Sequence, residues 1–108
     1  MRRKPVVPRE LARRDVVEAV DHYAMEAGER VALAFVDALE AAYGAMAEQP
    51  AAGSPRYAHE LGIPGLRVWG LKRYPYLVFY VEQADQIDVW RVLHGRRDIP
   101  AWMRGAEV

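Results

Sequence analysis

The sequence predicts an α+β fold in which an α-helical hairpin packs on a small, mainly antiparallel β-sheet. Three observations predict it. Two successive segments of the first half carry apolar residues at helical spacing, a Gly- and Pro-rich stretch interrupts the middle, and strand-forming residues fill the last third. With 108 residues, the chain suits a single domain over 1–108 with a moderate core.

After an extended piece at Lys4–Val7, Pro8 can open the first helix, with Glu10 in its first turn. Ala12, Val16, Ala19, Val20, Tyr23 and Ala27 define one face, and Glu10, Arg14, Glu18 and Asp21 the solvated one. Gly28 is the expected stop. Val31, Phe35, Ala38, Leu39, Ala42 and Met46 repeat the spacing in a second helix that Pro50 ends. A link of about two or three residues makes the pair an antiparallel hairpin. "AAGSPRYAHELGIPG" reads as loop. Three strands follow, at Leu66–Arg73, Tyr76–Glu82 and Gln86–His94, with "EQADQ" as a hairpin turn between the last two. "DIPAWM" forms a short terminal element that Asp98 can cap.

Alternation along the strands carries the functional expectation. In the middle strand Leu77, Phe79 and Val81 share one face and Tyr76, Val78 and Tyr80 the other, so neither face is polar. In the last strand Ile87, Val89, Arg91 and Leu93 alternate with Asp88, Trp90, Val92 and His94. Strands apolar on both faces are normally covered on both. A tight helical hairpin covers one, and "DIPAWM" is too short to cover the other. The expectation is therefore an apolar surface completed by a partner, with Trp90 buried in the fold. Arg67, Lys72, Arg73, Arg96 and Arg97 edge that surface, and Tyr76, Tyr80, Trp90 and Trp102 are its aromatic contacts.

Composition excludes several activities. There is no cysteine or threonine, and Ser54 is the only serine, so neither a nucleophilic hydrolase nor a thiolate metal site is expected. His22, His59 and His94 are scattered without metal-ligand spacing. No metal or cofactor is expected. Lys/Arg and Asp/Glu each number 15, which argues against salt-driven binding of nucleic acid by the whole surface. No apolar run approaches the roughly 20 residues that cross a bilayer. No membrane association is expected, and a cytoplasmic location is. A metal-free RNA nuclease needs a base, an acid and cations, for which His94, Arg91 and Arg97 are the candidates. Arg91, in a central strand, needs a carboxylate, with Asp88 or another acidic residue as partner.

"YPYLVFYVEQADQIDVWRVLHGRRDIP", preceded by "GLRVW" and by a helical hairpin ending in "EQPAAGSP", resembles the RelE/ParE superfamily of type II toxin–antitoxin toxins. The likeness runs from about Val6 to Met103, and "RVLHGRRD" is its most specific part. The resemblance implies an N-terminal strand in addition to the hairpin and sheet. It implies a cognate antitoxin, ParD-like and bearing a ribbon-helix-helix DNA-binding domain, in a hetero-oligomer. This chain itself would not read DNA sequence. RelE-like members cut mRNA on the ribosome, whereas ParE-like members inhibit DNA gyrase. Here Tyr76 stands at the RelE middle-strand arginine, and Trp102 rather than tyrosine follows Pro100. Lys72 and Arg97 fall near RelE cationic positions. "VLHGRRD" is similar to ParE, so a gyrase inhibitor without a catalytic site is the favoured expectation. The alternative is an mRNA endonuclease using His94, Arg91 and Arg97.

Overall fold

Helices form where the apolar spacing predicts them: α1 at Glu10–Ala27 and α2 at Glu29–Glu48. Gly28 alone joins them, with φ of 95°, a region costly for any side chain-bearing residue. The reversal therefore takes one residue, not the two or three expected. These elements belong to a computed structural model that describes residues 3–104.

The sheet contains β1 (Val6–Pro8), β2 (Leu66–Gly70), β3 (Tyr76–Glu82) and β4 (Ile87–His94). Its order is β1-β4-β3-β2, with β1 parallel to β4 and the other pairs antiparallel. The extended N-terminal piece is thus an edge strand, and β2 stops at Gly70, short of the expected Arg73. Two short helices complete the fold, α3 at Arg56–Leu61 and α4 at Ile99–Met103. As expected, Asp98 caps α4, its carboxylate accepting from the Ala101 N–H at 3.3 Å.

A β-bulge corrects the expected alternation in β4. Phe79 pairs with Arg91 and Tyr80 with Val89, so Trp90 is the extra residue without a partner on β3. The bulge shifts the phase of the strand by one residue. Ile87, Val89 and Val92 therefore join Val78 and Tyr80 beneath the helical hairpin, against Phe35, Leu39 and Met46. Leu93 falls on the other face with Phe79, Leu66 and Val68.

That second face is covered by the chain itself. Tyr57, Ala58 and Leu61 of α3 and Ile99 and Met103 of α4 pack on it together with Ile63, so the expectation of an uncovered sheet face is overturned. The error lay in reading residues 51–65 as loop. "RYAHEL" is too short to show helical periodicity, although Pro55 before it and a left-handed Gly62 after it are helix boundary signals. Exposed large apolar side chains instead lie on the hairpin, at Val17, Met25 and Leu33, and at Trp102 on α4.

One buried ion pair ties these layers. β1 pairs β4 only through Val89, so the β4 edge beyond it has no neighbouring strand. Asp15 of α1 occupies that position. Its carboxylate accepts from the Val92 N–H at 2.9 Å and, in a two-point contact, from Arg91 Nε at 2.8 Å and Nη2 at 2.7 Å. Arg91 Nη1 donates to the Trp102 carbonyl at 2.7 Å, holding α4 as well. Arg91 does pair with a carboxylate, but with Asp15 rather than Asp88. Asp88 instead accepts from Arg9, Gln83 and the indole N–H of Trp90. Trp90 is half-buried, not enclosed, with the Arg9 guanidinium 4.0 Å above its ring.

Asp15→Ala strands the Arg91 charge in the interior, and the expected loss is about 3–5 kcal/mol of unfolding free energy in urea titration. Asp15→Leu with Arg91→Met should recover much of it, because no charge is then left unpaired.

Candidate functional site

Two of the concavities that border the hairpin gather residues singled out from sequence. The first is a groove of about 570 Å³ between α2 and the outer edge of the sheet. Ala34, Ala38, Ala41 and Ala45 recur at helical spacing along its α2 wall. Trp69 and Gly70 of β2 form the facing wall. β2 is the terminal strand of the sheet on this side, so its outer backbone groups lack a strand partner apart from a bridge between Ser54 and Val68. Lys72 and Arg73 stand at the mouth, exposed and without an ion pair among the described residues. Arg73 adopts φ of 70°, the left-handed region, where a non-glycine residue is held at a cost of roughly 1–2 kcal/mol. Observed strain of this kind clusters at functional sites.

The second is a cleft of about 300 Å³ between α1 and the end of β4. Glu18 and His22 line it from α1, Tyr76 from β3, His94 from β4, and Arg97 from the turn before α4. Rings connect the two concavities. Tyr74, beside the groove, packs on Phe35 at 5.4 Å, Phe35 on Tyr76 at 5.2 Å, and Tyr76 on His94 at 5.2 Å. Burial raises the Tyr76 pKa above the ordinary tyrosine value. His94 Nδ1 accepts from the Arg96 backbone N–H at 3.1 Å, which puts the ring proton of the neutral form on Nε2.

The residues singled out from sequence separate into different environments. Tyr80 is buried. Its hydroxyl donates to the Pro50 carbonyl at 2.7 Å and accepts from the Gly53 N–H at 3.1 Å. Arg67 donates to the Gly53 carbonyl at 2.7 Å, fastening the same turn, and a methyl group at Gly53 would collide with the Tyr80 phenol. Arg91 is enclosed with Asp15. Lys72 and Arg73 meet at the groove, whereas Tyr76, His94 and Arg97 meet at the cleft with Trp102 beside them. Arg96 is exposed in the adjoining turn. Sequence reasoning missed the groove and the contributions of Asp15, Glu18 and His22. The alanine stripe was its one visible signal, and part of that stripe faces outward rather than into the core.

No group of three or more His, Asp or Glu side chains able to hold a metal occurs among the described residues. No described helix is long and apolar enough to cross a membrane.

A helical hairpin on a four-stranded mixed sheet is an α+β architecture that matches a ParE-like toxin. Within that class, the family described as "ParE toxin of type II toxin-antitoxin system, parDE" matches residues 6–99, and the chain belongs to it. Among solved structures the chain is similar to one titled "Chromosomal ParDE TA system from P. aeruginosa". The TM-score is 0.72 at 22% identity, over 84% of this chain and 95% of that one. No curated protein matches the sequence.

Burial, followed by the charges of Arg96, Arg97 and His22, lowers the His94 pKa from 6.5. The unfolded chain therefore takes up the proton first as pH falls, and stability is lost between the unfolded value and the lowered folded one. Above that window the contribution is complete. Thermal melts followed by circular dichroism from about pH 7.5 to about pH 5 should show a falling melting temperature, and His94→Gln should make the fall smaller.

Proposed function

We propose that this protein is a toxin that inhibits DNA gyrase and is neutralised by a cognate antitoxin bound in the groove between α2 and β2. Membership of the ParE toxin family over residues 6–99 carries this reading. The groove supports the antitoxin assignment. It combines an apolar alanine wall, a strand edge paired only in part, through the Ser54–Val68 bridge, and the exposed cations Lys72 and Arg73 with Asp37 on the same lining, which together suit a segment with small or apolar side chains and an acidic residue. The partner surface thus lies beside the sheet and not on its second face. Trp69, Lys72 and Arg73 are the residues assigned to it.

The state of Arg91 supports a non-nucleolytic action. A cation locked by Asp15 and the Trp102 carbonyl is not available to neutralise a substrate phosphate. His94 and Arg97 would have to act without it.

Purified toxin is expected to inhibit supercoiling by gyrase and to leave mRNA intact in a translation extract. Full supercoiling at excess toxin, with ribosome-dependent mRNA cleavage, would overturn the gyrase reading in favour of the nuclease. For the groove, Ala41→Glu places a carboxylate on its wall. The expected result is antitoxin binding weakened about tenfold or more in calorimetry, with the melting temperature of the free toxin nearly unchanged.

A further inference from the structure

The groove beside α2 does not end at Ala34. Ala34 and Asp37 also line a second, more open concavity of about 440 Å³, which continues along α2 to Glu29, Arg30 and Leu33. We propose that the antitoxin segment seated in the groove extends into this concavity and is anchored there on Leu33. The proposal rests on the assignment of the groove to the antitoxin and adds a second subsite to it.

Exposure and position together single out Leu33. It is 57% exposed, and Val17 and Met25 on the same hairpin are more so. Single exposed apolar side chains are ordinary on a protein surface, and Val17 and Met25 line neither concavity. Leu33 differs because it faces a hollow that adjoins a groove already suited to a partner. Glu29, Arg30 and Asp37 line that hollow with charges of both signs, and none forms an ion pair among the described residues. An apolar contact within a polar, mixed-charge rim is the usual anatomy of a protein interface.

The turn between β2 and β3 marks the junction of the two hollows. Tyr74 donates its hydroxyl to the Val31 carbonyl at 3.3 Å, which holds Lys72 and Arg73 beside the start of α2. At roughly 1.5 Å per residue, Ala34 to Ala45 spans about 17 Å and Glu29 adds about 8 Å. That addition is about one and a half turns of a helix laid alongside, enough to bring one further side chain onto Leu33. Read along α2, the surface offers small apolar residues, then charges, then Leu33. The matching segment is apolar, then charged, then apolar again. A second copy of this chain suits the site less well. α1 and α2 carry nine Asp and Glu against three Arg, so two hairpins meeting through this face would bring like charges together.

Calorimetric titration of the full chain with its cognate antitoxin tests the proposal. Leu33→Lys is expected to weaken binding about tenfold and Leu33→Ala several-fold, with the melting temperature of the free toxin nearly unchanged. Val17→Lys makes the same change at a comparably exposed hairpin position and should leave binding as it is. If Ala41→Glu weakens binding and neither Leu33 variant does, the extension is wrong and the groove assignment stands. If none of the three weakens it, the groove assignment falls as well. Equal loss in Leu33→Lys and Val17→Lys overturns the anchor, because added charge on the hairpin then accounts for both. Self-association of the free chain that Leu33→Lys abolishes overturns it in favour of a second copy.

Discussion

The rest of the molecule depends on the contact between Asp15 and Arg91. A sheet whose β1 partner ends at Val89 leaves the following stretch of β4 with backbone donors facing outward, and a buried donor must be paired. Asp15 meets that need with a side chain from a helix instead of a further strand. The carboxylate would itself be costly to bury alone, so Arg91 enters beside it, and the remaining guanidinium donor reaches α4. One node thereby sets where α1 crosses the sheet, where β4 loses its neighbour and where the C-terminal helix sits.

The bulge at Trp90 serves the same junction. Without an extra residue, strict alternation would put Ile87 and Val89 on the face of Leu93, away from the helical hairpin. The phase shift lets one strand feed both cores, and it places Arg91 where it can bond to elements on both sides of the sheet. The far face then needs cover, and α3 and α4 supply it. A doubly apolar sheet in this protein is therefore a two-core construction and not a sign of a missing partner. The features that suit a partner lie along the margins, where a sheet edge and a helix wall meet beside exposed cations.

Groove and cleft differ in character because different surfaces bound them. α2 contributes small side chains to the groove, giving an apolar wall close to the backbone of an edge strand. α1 contributes Glu18 and His22 to the cleft, opposite the polar end of β4. The rings of Tyr74, Phe35, Tyr76 and His94 run between them through the core. Tyr76 is part of that packed row, in contact with both Phe35 and His94.

The sequence by itself determined the helical hairpin, the position of β3, the cap at Asp98 and the superfamily, because each is written in spacing or motif within a short window. It also showed that Arg91 required a carboxylate, since the cost of burying a charge holds in any fold. Only the tertiary structure decided which carboxylate answers. Asp15 lies 76 residues away and belongs to a helix whose other acidic residues look the same in sequence. The bulge, the cover over the second sheet face and the division of Arg67, Tyr80 and Arg97 among turn, core and cleft were settled in the same way. Each depends on which distant segments come to lie against one another, and local periodicity carries no information about that.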